Sequence, residues 1–278
     1  MEAFFLPAAH GQRLCIFYAP PTDVALRGSV IYVPPFAEEL NRCRRMASLQ
    51  ARALAQVGFA TLQIDLMGCG DSSGDFADAT WDAWLDDIDL ARQWLARRCT
   101  APLWLWGARA GCLLAAQSAA RSVDAPAGLL MWMPVVSGRQ HLQQFLRLRV
   151  VGDVVRGNQN KPSTGTNELL HQLDHGQSIE VAGYMLGTKL ANGLSGANLN
   201  DVGHALKVIC FEVAGLDDAQ PVAISPALAQ QLTRWAAAGV SATATVVAGE
   251  PFWQVPEAPG CMALAQATVD ALSAAGGA

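Results

Sequence analysis

Apolar residues in this chain fall into short unbroken runs, separated by longer stretches in which they recur every three or four positions. Runs at Gly28–Phe36, Phe59–Leu66, Pro102–Gly107, Gly128–Pro134 and Leu206–Ala214 are dense in Val, Ile, Leu, Met and Trp. Strands buried on both faces read this way, and buried strands of a parallel sheet above all. Ser241–Ala248 alternates small and β-branched residues, which predicts one further strand. At the start, Glu2–Leu6 and Arg13–Tyr18 flank a turn at His10–Gly11 and predict two short antiparallel strands. Between runs, Thr80–Arg98 places Trp81, Trp84, Leu85, Ile88, Ala91, Trp94 and Leu95 on one helical face. Its aspartates lie early and its arginines late, the order that the helix dipole favours. Helices are likewise expected from Ala37 through the following arginines, over Pro226–Gly239 and over Pro259–Ala274. Strands alternating with helices predict an α/β fold with a mostly parallel eight-stranded sheet flanked by helices.

The texture changes between residues 135 and 203. Apolar runs shorten, Gly, Asn, Gln and Ser rise, and His141, His171, His175 and His204 fall in or at the edge of the stretch. Helices are expected at Gln140–Val150, Asn167–His175 and Ala182–Leu190, with an extended piece at Ile179–Val181 and a polar loop over Gly157–Gly165. The chain therefore divides into a core, residues 1–134 and 204–278, and a cap or lid insertion, residues 135–203.

Composition narrows the function classes. With 278 residues and 51% hydrophobic content, one substantial domain with an insertion is expected. Net charge is −5 and no Lys/Arg run offers a nucleic-acid surface. The N-terminal residues lack a charged n-region and an apolar h-region, and no apolar run approaches the roughly 20 residues of a bilayer span. A cytoplasmic protein without a membrane span is expected. Seven scattered cysteines form no C-x-x-C pair and imply neither a zinc site nor a disulfide framework. His171 and His175 have metal-ligand spacing without the Glu of H-E-x-x-H, so no metal is expected. The glycines after the Phe59–Leu66 run, Gly68-x-Gly70-x-x-Ser73, miss the dinucleotide fingerprint in its last position, and no cofactor is expected.

The chemistry centres on Pro102-Leu-Trp-Leu-Trp-Gly107-Ala108-Arg109-Ala110-Gly111-Cys112. A buried strand, a glycine-framed turn and a small-residue helix form a G-x-Nu-x-G nucleophile elbow, the mark of the α/β-hydrolase fold. Arg109 occupies the nucleophile slot. A guanidinium stays protonated and has no lone pair with which to attack. In this fold the loop at Phe36 supplies one oxyanion-hole amide and the residue after the nucleophile, Ala110, lies at the helix start with another. Glu38 flanks the expected pocket. The acid of a triad belongs at Asp217 or Asp218, but beyond Ser241–Ala248, where its histidine belongs, stand Gly249-Glu250-Pro251-Phe252-Trp253-Gln254. Catalytic candidates are thus Glu250, Asp218 and Asp217; ligand-binding candidates are Arg109, Ala110, Phe36, Glu38 and Trp253. Three readings stay open. Arg109 plugs the pocket, neutralised by Glu250, Glu38, Glu212 or Asp218; it holds an anionic or acyl-bearing small molecule; or it stabilises an oxyanion while a carboxylate such as Glu250 acts as base.

Four segments together, Pro34-Pro35-Phe36-Ala37-Glu38-Glu39-Leu40-Asn41, the G-x-R-x-G elbow, Pro134–Arg147 and Pro251–Gln254, resemble the exosortase A system-associated hydrolase family, type 2. The resemblance implies an α/β-hydrolase fold in a setting of exopolysaccharide production and surface-protein sorting. It also implies that arginine in the elbow belongs to the type. Partners would be a small-molecule ligand, a second copy in a homodimer, or a component of the exopolysaccharide or sorting machinery.

Overall fold

The computed structural model describes residues 1–155, 165–203, 207–215, 223–255 and 260–275. Strands β1 (Glu2–Pro7) and β2 (Gln12–Tyr18) form an antiparallel hairpin, and β3 (Gly28–Val33) leads into α1 (Glu38–Gln56). β4 (Phe59–Ile64) precedes a single 3₁₀ turn and α2 (Trp81–Arg98); β5 (Leu103–Ala108) enters α3 (Gly111–Arg121), and β6 (Gly128–Trp132) follows. After the elements between residues 135 and 203 come β9 (Lys207–Ala214), α7 (Pro226–Ala237), β10 (Ser241–Ala248) and α8 (Met262–Ala275). These strands form one eight-stranded sheet in the order β1-β2-β4-β3-β5-β6-β9-β10. From β4 to β10 every pairing is parallel, as the continuous apolar runs predict.

Burial on both faces divides each strand by alternation. In β3, Ile31 and Val33 join the core under α2 and α3, while Val30 and Tyr32 join that under α1 and α8. Trp104 and Trp106 of β5 face the second core and Leu105 the first. Helix α2 starts where Thr80 Oγ1 accepts the Ala83 amide at 3.1 Å, and Trp81, Trp84, Leu85 and Ile88 turn inward as the spacing predicts. Because β4 and β5 lie on opposite sides of β3, the connections leaving β3 and β5 diverge and open a crevice at the carboxyl ends of the strands, where ligands bind in open α/β sheets.

Between β6 and β9 lie α4 (Gly138–Val155), α5 (Thr166–Asp174), β7 (Ile179–Val181), β8 (Tyr184–Leu186) and α6 (Thr188–Gly196). The ends of this segment meet, since Ser137 bridges Asn198 and the Gly138 amide donates to the Ala197 carbonyl at 3.0 Å. The structure corrects the helix expected at Ala182–Leu190. Ala182 (φ 50°) and Gly183 (φ 84°) are the two central residues of a tight hairpin pairing Val181 with Tyr184, and the helix begins only at Thr188. Two consecutive positive φ values match the twist of paired strands and are incompatible with a helix. Most of the predicted polar loop at Gly157–Gly165 lies outside the described residues. No helix among the described residues is long and apolar enough to cross a membrane.

Candidate functional site

Between β5 and α3 the backbone reverses at Arg109, whose φ is 52°. Its amide donates to the Trp132 carbonyl at 2.9 Å and its carbonyl accepts from Cys112 at 3.1 Å, which fixes the turn between β6 and the first turn of α3. Both framing glycines are required sterically. A Cβ on Gly107 would stand 2.6 Å from the Cys112 backbone, and one on Gly111 would stand 2.4 Å from the Val33 carbonyl oxygen. The Ala110 and Phe36 amides find no acceptor among the described residues, although both residues are 2% exposed. An α/β-hydrolase would place an oxyanion between two such donors.

The Arg109 side chain is paired from within. Nε donates to Glu39 Oε1 at 3.0 Å, Nη1 donates to the Met133 carbonyl at 3.3 Å, and Cζ lies 5.4 Å from the centre of the Trp253 ring. Arg109 and Glu39 side chains are 18% and 10% exposed, so the pair is largely desolvated. Nη2 has no acceptor among the described residues, yet it is not among the enclosed, unpartnered polar atoms. It is therefore the guanidinium nitrogen wholly available to a ligand, on a side chain that lines a cleft.

Neighbouring acids follow from the same crowding. Burial pushes the Glu39 carboxyl above its usual range against the pull of Arg109, and Glu39 Oε2 is enclosed without a hydrogen-bond partner. Glu38 is likewise raised by burial, opposed by a backbone hydrogen bond, Arg42 and Arg109. Glu212 instead accepts the Ser225 amide and hydroxyl, both at 2.6 Å, and holds the start of α7.

The ion pair expected between Arg109 and Glu250, Glu38, Glu212 or Asp218 is thus formed by Glu39. Glu250 is exposed and follows β10, three strands from β5, or ~14 Å at the usual strand spacing. Trp253, just beyond it, does reach the guanidinium. Asp217 and Asp218 lie outside the described residues. Of the predicted ligand-binding residues, Arg109 and Trp253 line the cleft. Phe36, Glu38 and Ala110 do not line it; the Phe36 ring is buried edge to face with Phe76, Trp84 and Phe145.

Sequence reasoning singles out neither Glu39 nor a second residue, His141, as part of the site. His141, in the first turns of α4, is 7% exposed, with Nε2 3.9 Å from Glu39 Oε2 and its ring 6.1 Å from that of Phe36. Burial, with the Arg109 cation second, pushes its pKa down to about 3. The imidazole is therefore neutral at ordinary pH, and its contact with Glu39 is not an ion pair there. A cleft of about 520 Å³ opens beside these groups, lined by Arg109, Met133, Val135, His141, Glu212 and Trp253 among others. Among the described residues no cluster of three or more His, Cys, Asp or Glu side chains could hold a metal ion.

The sheet order, the crevice at its switch point and the elbow define an α/β-hydrolase. Residues 25–188 match the serine aminopeptidase S33 family over more than half of the chain, and the protein belongs to that family. Similar solved structures include Est1E from Butyrivibrio proteoclasticus with ferulic acid bound, at TM-score 0.68 and 15% identity, covering 98% of both chains. XC6422 from Xanthomonas campestris, described as an α/β serine hydrolase without a lid, aligns at TM-score 0.56 and 17% identity over 99% of this chain and 92% of that one. A thermostable carboxyl esterase from Bacillus coagulans, in complex with glycerol, aligns at TM-score 0.62 and 12% identity over 99% and 98%. At such identities these likenesses show the fold alone. No curated protein matches the sequence.

Proposed function

We propose that this α/β-hydrolase binds a small molecule through an anionic or acyl oxygen seated on Arg109, without serine-nucleophile chemistry. The observation that carries the reading is Arg109 Nη2, a charged donor without a protein acceptor among the described residues, at the wall of a cleft of about 520 Å³. Residues 135–203 act as the cap, since His141 of α4 and Phe145 reach the elbow's own neighbours. The four segments that resemble exosortase A system-associated hydrolases, type 2, support a setting beside exopolysaccharide production and surface-protein sorting, and the acidic chain without a long apolar run supports a cytoplasmic one.

A second reading, hydrolysis of an ester, thioester or amide by an unconventional set of groups, draws on the two amides of Phe36 and Ala110 that stand without acceptors. A thermal-shift screen of wild type and Arg109→Ala against sugar phosphates, nucleotide sugars, acyl-CoAs, simple carboxylates and their amides tests the first reading. A ligand at about 100 times its dissociation constant adds roughly 2.7 kcal/mol to stability. Stabilisation of the wild type and not of the variant supports it; equal stabilisation of both overturns it.

A further inference from the structure

We infer that Glu39 sets the ligand preference of the Arg109 site, selecting an uncharged acyl carbonyl, an amide or ester, over a carboxylate or phosphate. The inference rests on the preceding reading of Arg109 as the residue that meets the ligand.

Geometry comes first. Arginine grips a carboxylate or phosphate best with two parallel N–H groups at once. Here the Nε–H is bound to Glu39 Oε1 and one Nη1–H to the Met133 carbonyl, so the side-on pair that includes Nε is taken, and Nη2 is the nitrogen wholly without an acceptor among the described residues. An anion that took the side-on pair through Nε would displace Glu39, which, 10% exposed, would then be left buried without its cation.

Charge points the same way. Arg109 and Glu39 cancel within 3.0 Å. Glu212 adds a carboxylate to the cleft wall, and Arg109 is the only cationic side chain among the described lining residues. Arg42 stands behind, with Nη1 on the Trp253 carbonyl at 3.3 Å and its charge set against Glu38 and Glu39. His141 is neutral. No net positive charge therefore faces the cleft to offset the desolvation of an anion, a cost that a neutral carbonyl does not incur. The rest of the wall fits such a ligand: Met133, Val135, Val213 and Trp253 offer apolar contact, and Gln140 and Gln144 offer neutral hydrogen bonds.

Glu39→Gln keeps the shape and removes the charge, which restores to Arg109 its pull on anions. The test titrates butyramide, hexanamide and phenylacetamide, each beside its matched carboxylate, into wild type, Glu39→Gln and Arg109→Ala. Wild type is expected to bind at least one amide about tenfold or more tightly than its carboxylate, and Glu39→Gln to reverse that order, as one charge change at a mostly buried site requires. If wild type binds the carboxylate as tightly as the amide, and Arg109→Ala loses both, Arg109 remains the ligand residue and the role of Glu39 is overturned. If Arg109→Ala binds either compound as wild type does, or if no compound binds wild type or Glu39→Gln, the reading beneath falls and this inference with it. The wild-type comparison stands without either variant, so a variant that fails to fold does not remove the test.

Discussion

Arg109 and Glu39 are 70 residues apart in the chain and 3.0 Å apart in the fold, joined where the turn after β5 meets the first turn of α1. The two partners are unequal. Arginine cannot shed its charge, whereas Glu39, already raised by burial, can take a proton and become neutral.

Glu39→Ala is therefore expected to be the more damaging change. It strands a mostly buried guanidinium and should cost about 3 kcal/mol in chemical denaturation. Arg109→Ala should cost less, and less at pH 5 than at pH 7, because a protonated Glu39 needs no cation. Equal costs at both pH values would show that the pair contributes no electrostatic coupling.

His141 gives the fold an acid-sensitive limb. Its imidazole is held neutral down to about pH 3, whereas in the unfolded chain it takes up a proton near pH 6.5. The unfolded state then binds more protons, so stability falls as pH drops from about 6.5 toward 3, by roughly 2 kcal/mol at pH 5. Glu39 acts with the opposite sign, since its raised pKa makes the folded state the first to bind a proton. His141→Phe keeps the aromatic contact with Phe36, and its stability between pH 6.5 and 5 should be flatter than that of wild type by about that amount.

The elbow glycines should be intolerant. Gly111→Ala would set a methyl 2.4 and 2.5 Å from the Val33 and Pro34 carbonyl oxygens, backbone atoms that cannot rotate away. A loss of at least about 2 kcal/mol is expected. Gly152→Ala, on α4 with nothing within 4 Å of the new methyl, should stabilise by about 0.5–1 kcal/mol. Similar melting temperatures for the two would contradict the steric account of the turn.

Serine-directed fluorophosphonates should not label this protein. Of the serines lining the cleft, Ser225 donates its hydroxyl to Glu212 Oε1 at 2.6 Å and the Ser137 hydroxyl accepts the Gln140 amide at 3.4 Å, and neither hydroxyl is hydrogen-bonded to a described imidazole. Arg109→Ser should not restore labelling, because the nearest described imidazole, that of His141, faces Glu39 at 3.9 Å. Stoichiometric labelling of one serine in wild type, read by mass spectrometry, would overturn this account.

The sheet was legible because its strands are buried on both faces, so their composition alone betrays them. The elbow was legible for another reason, that only glycine fits at Gly107 and Gly111. Glu39 and His141 were not. Glu39 reads as one more acid at a helix start, and spacing gives no hint that its partner follows β5, the strand paired with β3. His141 sits among polar residues of the insertion, where its burial depends on how α4 docks against Phe36. The β7–β8 hairpin was hidden because Ala182 adopts a positive φ that its residue type does not announce. Glu250 was tempting because it falls where a histidine would stand in the chain, and strand order then sets it apart.

Ala37 (φ 49°), Arg109 (φ 52°) and Met133 (φ 44°) are three of the four described non-glycine residues with left-handed backbones, and all three surround the elbow. Each such residue costs of order 1–3 kcal/mol. They also lean on one another. Arg109 Nη1 holds the Met133 carbonyl, the Val135 amide reaches the Arg109 carbonyl at 3.4 Å, and Ala37 leads into the helix that carries Glu39. None can unwind without loosening the next, so the turn after β5, the exit of β6 and the mouth of α1 behave as a single sprung joint, which should open to hydrogen exchange all together.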